Sequence, residues 1–200
     1  MQSHPRLELH LIQSQANRIL KYVKNEQLDA GFFKGRFSDA SLQALHLTQL
    51  NMVVTGPARL KAEIDRADIQ DLARMPWIWR TACGPFMCIG DSLFENDCFR
   101  STRVIVAEDD ETMRSLLIGG AGLQLMEENK ALADAGQGKV AIWPGAKIRT
   151  ALSFVYLTKR QGDPIISALC KVLCKVWRIP TSNHNPNARN RMAGNFGSDG

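Results

Sequence analysis

The sequence is poor in the residues that announce chemistry. It holds four histidines, at positions 4, 10, 46 and 184, and neither a GxSxG nor an HExxH pattern, so nothing places a nucleophile or a zinc-binding helix. An enzyme is not expected. No run approaches the roughly eighteen apolar residues of a membrane-spanning helix, and His4, Arg6, Glu8 and His10 interrupt the stretch that a secretion signal keeps apolar. The expectation is a cytoplasmic chain with no membrane partner. The five cysteines are an odd set without regular spacing, which suits free thiols in a reducing compartment better than a disulfide framework. Cys170 and Cys174 stand one helical turn apart, a spacing open to a metal, but the nearest imidazole, His184, falls in a polar tail, and buried thiols are expected instead. No flanking cation cluster at Cys83, Cys88 or Cys98 argues for a lowered thiol pKa. No metal and no cofactor are expected. The net charge of +5 is mild and its carriers are dispersed, so these residues do not read as a DNA-binding face.

The chain is otherwise that of an ordinary globular protein: 200 residues, 44% hydrophobic and 22% charged, with room for one domain or two small ones. Its organising stretch is 104–128. Val104 to Ala107 is a β-branched run, Asp109 or Asp110 can cap a following helix, and Met113, Leu116 and Leu117 fall on one helical face. Gly119 and Gly120 supply a left-handed stop, and 122–126 (GLQLM) resumes an extended apolar segment. This is a βαβ crossover, in which ligands collect at the carboxyl ends of the strands.

In chain order, 6–12 (RLELHLI) alternates as a half-buried strand does, and Ser14 can cap a helix ending near Asn25, with Ile19, Leu20 and Val23 inward. Residues 28–33 (LDAGFF) form the next strand, so βα units predict an α/β protein with parallel sheets. Segments 42–47 and 51–55 are extended and read as one long strand with a bend. A short helix at 68–74 precedes an apolar strand at 77–79; 85–89 is a further candidate strand, followed by a helix capped near Asp91 or Ser92. A helix at 129–135, strands at 140–143 and 151–157, and a helix opened by Asp163-Pro164 complete the pattern. That last helix is expected to bury Ile166, Leu169, Val172, Leu173 and Val176. Asn, Gly, Ser and Pro dominate 179–200, which predicts a disordered tail from about residue 178.

Six features now stand in one order: a strand after His4-Pro5, the helix at 14–25, LDAGF at 28–32, a segment ending MVVTGPARL at 60, DL-x-x-x-PWI at 71–78, and VIVAEDDETMRSLLIGGAGLQLM at 104–126. Together, over about 5–177, they resemble the effector-binding domain of LysR-type transcriptional regulators. The resemblance implies a fold like the type 2 periplasmic binding proteins: two α/β lobes joined by two crossing strands, with a small-molecule effector between them. On that pattern the first lobe is 1–46 plus 151–177 and the second is 47–150. The family's winged helix-turn-helix, linker helix, and first strand and helix of the effector domain would precede His4-Pro5, so the first lobe is expected to be incomplete at its N-terminus. Any DNA contact would come through an N-terminal domain absent from this chain. A homodimer or higher homo-oligomer is implied, through a first-lobe strand edge and the helix at 113–118. The alternatives are a free-standing solute-binding protein of the same fold, which would need export, and a ligand-free dimerisation module.

Candidate effector contacts follow from strand and helix ends. The Ser14 hydroxyl and nearby first-turn amides would suit a carboxylate, although a plain helix cap explains it as well. Phe33, Lys34 and Arg36 follow the LDAGF strand at its carboxyl end, where a cation would attract an anion, or would simply be solvated. Cys83, Pro85 and Phe86 fall where the resemblance places the second-lobe pocket wall, and core packing suits Phe86 equally. Glu108 and Asp109 would repel an anion unless engaged as caps. The expected partner is a small carboxylate with an apolar or aromatic body.

Overall fold

The computed structural model describes residues 8–14, 16–35, 37–79 and 104–179. Among these, α1 (Ala16–Lys24), β1 (Ala30–Lys34) and β2 (Leu42–Pro57) lead through a 3-10 turn (Ala58–Leu60) into the short helices α2 (Lys61–Ile64) and α3 (Ile69–Arg74). Then come β3 (Trp77–Trp79), β4 (Val104–Val106), α4 (Asp110–Ile118), β5 (Gln124–Glu127), α5 (Glu128–Gly136), β6 (Val140–Ile142), β7 (Ile148–Leu157), a second 3-10 turn (Thr158–Arg160) and α6 (Pro164–Val176). The expected strand at 85–89, the helix after Asp91, and the tail from 180 lie outside the described residues.

The two long strands organise everything else. β2 is one strand of 16 residues, as its two extended segments predict, and it pairs antiparallel with β7 from Leu42↔Leu157 to Met52↔Ile148, with a register shift between His46 and Thr48. That irregularity is the expected bend. β1 adds to the other edge of β7, while β5 and then β6 pair with the far end of β2.

All of these pairings are antiparallel, which corrects the expectation of parallel sheets. β2 leaves and β7 returns at the two ends of one excursion of the chain, so they run in opposite directions. Parallel pairing is confined to β3 with β4 and to a single bridge, Trp77↔Leu123. The 104–126 crossover therefore spans β3 rather than joining neighbours. Gly122 permits this contact, because a Cβ there would lie 2.5 Å from the Pro76 carbonyl oxygen, which accepts from Leu123 N at 2.8 Å.

Local chemistry sets the boundaries. Asp68 accepts from Asp71 N while Asp71 accepts from Asp68 N, a capping box that starts α3. Asp109 caps α4 and Asp163 caps α6, each accepting two backbone amides. Gly120, at φ 88°, ends α4 in the left-handed region, whereas Gly119 stays right-handed.

Two local expectations fail. Residues 8–14 form neither helix nor strand, and Leu11 is 88% exposed: among the described residues no strand pairs with this segment. Helix α6 buries Ile166, Cys170 and Cys174, while Val172 and Val176 face outward, because apolar residues on both sides leave its phase ambiguous. The turn and helix at 58–64 were not anticipated.

Among the described residues the core comprises four clusters. Val53 and Val54 point to opposite faces of β2. One joins Ile78, Met113, Leu117 and Met126; the other joins Ile64, Leu72, Trp77 and Leu123. Leu45, Leu47, Phe154, Tyr156, Ile166 and the two cysteines form a third cluster, and Val23, Leu42 and Leu157 a fourth. The buried residues of the first two clusters all lie between 53 and 142, and those of the last two outside that interval.

Candidate functional site

β1 ends at Lys34 and β5 ends at Glu127. In the sheet order β1-β7-β2-β5, three strand spacings separate them, about 14 Å in a flat sheet. Lys34 pairs with Leu152, opposite Thr48, whereas Glu127 pairs with Met52, which adds roughly 13 Å along the strands. Nevertheless the Lys34 ammonium donates to Glu127 Oε2 at 3.2 Å. The sheet must therefore curl about the crossing strands until the ends of β1 and β5 face one another.

Glu128, at the start of α5, extends this polar ledge. Its Oε2 accepts from Asn51 Nδ2 at 2.7 Å and its Oε1 from Lys147 Nζ, and these donors, Lys147 foremost, hold its carboxyl below the usual range. A buried pair lies one face away. Thr55 Oγ1 donates to the Gln124 backbone carbonyl at 3.0 Å, and Gln124 Oε1 has no hydrogen-bond partner among the described residues.

Of the seven residues singled out from sequence, Arg36, Cys83, Pro85 and Phe86 lie outside the described residues. Ser14 is half-buried just before α1. Phe33 is only 2% exposed and meets Phe37 edge-on with ring centroids 5.5 Å apart, so its ring serves packing. Of the three that are described, Lys34 reaches the opposing half. Among the described residues, no hydrogen bond or ion pair joins Ser14 to Lys34. Asp109 is engaged as a cap, accepting from Glu111 N and Thr112 N; hydrogen bonds led by Thr112 lower its pKa.

Glu127, Glu128, Asn51 and Gln124 escaped the sequence reading. The available signal was the Glu-Glu step at the carboxyl end of GLQLM, where a strand end meets a helix start. Two open grooves lie elsewhere, one beside the end of α4 at Ser115, Leu116 and Gly120, the other between α2 and α3 at Glu63, Arg66 and Arg74. Among the described residues the thiols offer no reactive centre, for burial pushes Cys170 up to about 11, and Cys174 is buried beside it. Among the described residues no helix is long and apolar enough to cross a membrane.

Two halves joined by a pair of long crossing strands, with polar side chains meeting between them, define a two-lobed type 2 periplasmic-binding-protein-like fold. The LysR substrate binding domain family matches residues 1–178, and the chain belongs to that family, the effector-binding part of LysR-type transcription regulators.

Similar solved structures include the regulatory domain of Synechocystis PCC6803 CcmR in complex with 2-PG, with TM-score 0.73 and 16% identity over 89% of this chain and 87% of that one. The effector binding domain of QuiR in complex with shikimate has TM-score 0.71 and 20% identity over 88% and 84%. Full-length CbnR complexed with its target DNA has TM-score 0.62 and 13% identity; the match covers 82% of this chain and 59% of that one. At these identities the likeness is one of fold. No curated protein sequence matches the chain.

Proposed function

We propose that this domain senses a small carboxylate in the cleft between two lobes, 1–46 plus 151–177 and 47–150, and binds it without chemical conversion in the cytoplasm. The separation of the core clusters at residues 53–142 supports the division. The observation that carries the ligand class is Lys34, an ammonium at the carboxyl end of β1 that faces the other half of the molecule and already holds a carboxylate there. A neighbour in fold is described in complex with shikimate, itself a carboxylate. Effector contact with both halves would shift their relative angle and, through it, the pairing of subunits in a homodimer, with DNA read by an N-terminal domain outside this chain.

Calorimetry with shikimate and benzoate, against neutral sugars and amines, tests the reading. The acids should bind, Lys34→Met should weaken them at least tenfold, and Ser14→Ala should cost roughly 1 to 2 kcal/mol of binding. Binding of sugars or amines in place of acids would refute the carboxylate assignment.

A further inference from the structure

We infer that Glu127 is an internal carboxylate that competes with the effector for Lys34, and that the pair is a clasp between the two halves of the molecule. The inference deepens the carboxylate reading and rests on it. β1 and β5 share no strand pairing, since β7 and β2 lie between them, so the Lys34–Glu127 contact ties the halves together independently of the crossing ribbon. The pair is partly sheltered, with side chains 34% and 21% exposed, which screens it less than a pair in open solvent.

Alternation fixes the direction. Leu125 and Glu127 share one face of β5, and the buried Gln124 and Met126 take the other, so Glu127 is the residue of the strand's last turn that faces away from the α4 core. Glu128 cannot stand in for it, because Asn51 and Lys147 hold both of its oxygens. An oxyanion approaching Lys34 meets Glu127 as a like charge competing for the same ammonium, and where it draws Lys34 away it releases the tie between β1 and β5. A ligand without negative charge gains at most a single hydrogen bond from Lys34, too little to outcompete the Glu127 carboxylate, and leaves the clasp shut. Glu127 thus determines specificity: it sets a charge threshold for binding and couples the crossing of that threshold to the angle between the halves.

Residual dipolar couplings of backbone amides, fitted separately for the two halves of the whole chain, test the clasp without any ligand. Glu127→Gln and Lys34→Met should change the angle between the halves in the same sense, and the swapped pair Lys34→Glu with Glu127→Lys should restore it. Benzoate added to the wild type should move the angle as Glu127→Gln does, and Glu127→Gln should bind benzoate several-fold more tightly than the wild type. An unchanged angle in both single variants overturns the clasp. Benzoate binding equally to wild type and Glu127→Gln overturns the competition while leaving the carboxylate reading intact. If benzoate and shikimate bind neither protein, the carboxylate reading and the competition fall together, and the couplings alone decide the clasp.

Discussion

The two halves of the molecule are closed to different degrees. Between residues 53 and 142 the sheet is sandwiched: α4 and α5 cover one face and α2 and α3 the other, with Trp77 fully buried, stacked on Trp79 at 5.0 Å and donating its indole N–H to the Leu72 carbonyl. The other half leaves Leu9, Leu11, Ile12, Phe32, Ile165, Val172 and Val176 exposed, against Ile105, Val106, Ile118 and Leu132 in the sandwiched half, and β1 has a paired strand on one side only among the described residues. An apolar residue at the surface forfeits most of its transfer free energy, so equal hydrophobicity yields unequal stability in the two halves.

The largest effect should come from the closed half. Trp77→Ala removes a fully buried indole and is expected to cost about 3–5 kcal/mol in urea unfolding, whereas Phe32→Ala, at a ring 43% exposed, should cost about 1. Equal losses would erase the contrast between the halves.

Acid sharpens it next. Asp39 ties α1 to the turn before β2 through Lys24 at 2.7 Å and Ser41, and these contacts, Lys24 foremost, lower its pKa from 3.8 to about 2. Because the folded pKa is depressed, its contribution, about 1 kcal/mol after solvent screening, is present above pH 3.8 and lost as pH falls toward 2. The difference in stability between wild type and Asp39→Asn should vanish over that interval. In the closed half, Arg114 grips Asp134 with two hydrogen bonds of 2.7 Å and lowers its pKa in the same direction, so Arg114→Met should show a loss at neutral pH that shrinks below the ordinary aspartate range. A deficit that grows on acidification in either variant would contradict the sign.

The smallest effect belongs to the open face of α6. Val172→Ser and Val176→Ser should each change stability by no more than about 0.5 kcal/mol, because both side chains stand about half or more in water. A loss above 1 kcal/mol measured by urea unfolding would mean that this face is covered in solution.

What the sequence disclosed follows the range of the forces involved. Caps are local, so Asp109, and Asp163 with Pro164, mark their helices correctly. The strand expected at 28–33 forms at Ala30–Lys34, and the bent β2 was legible in its two extended segments at 42–47 and 51–55. The phase of α6 was not, because Ile165 and Ile166, or Val172 and Leu173, satisfy either face, and packing against Phe154 and Tyr156 decides. Strand direction was misjudged because antiparallel pairing joins segments about a hundred residues apart, beyond any local pattern. The same distance hid half of the site: Lys34 stood out at a strand end, but its partner lies 93 residues away and meets it only through the curl of the sheet.

The pairing of β1 with β7 also dictates an order of events on the ribosome. β1 is complete at residue 34, yet the only strand it pairs with among the described residues begins at Ile148. The segment between is contiguous and carries its own two apolar clusters, so it can collapse while the rest of the chain is still being synthesised. Until Leu157 has emerged, β1 and the first part of β2 wait with exposed edges, and the contact order of this half, rather than its composition, sets the slow step of folding.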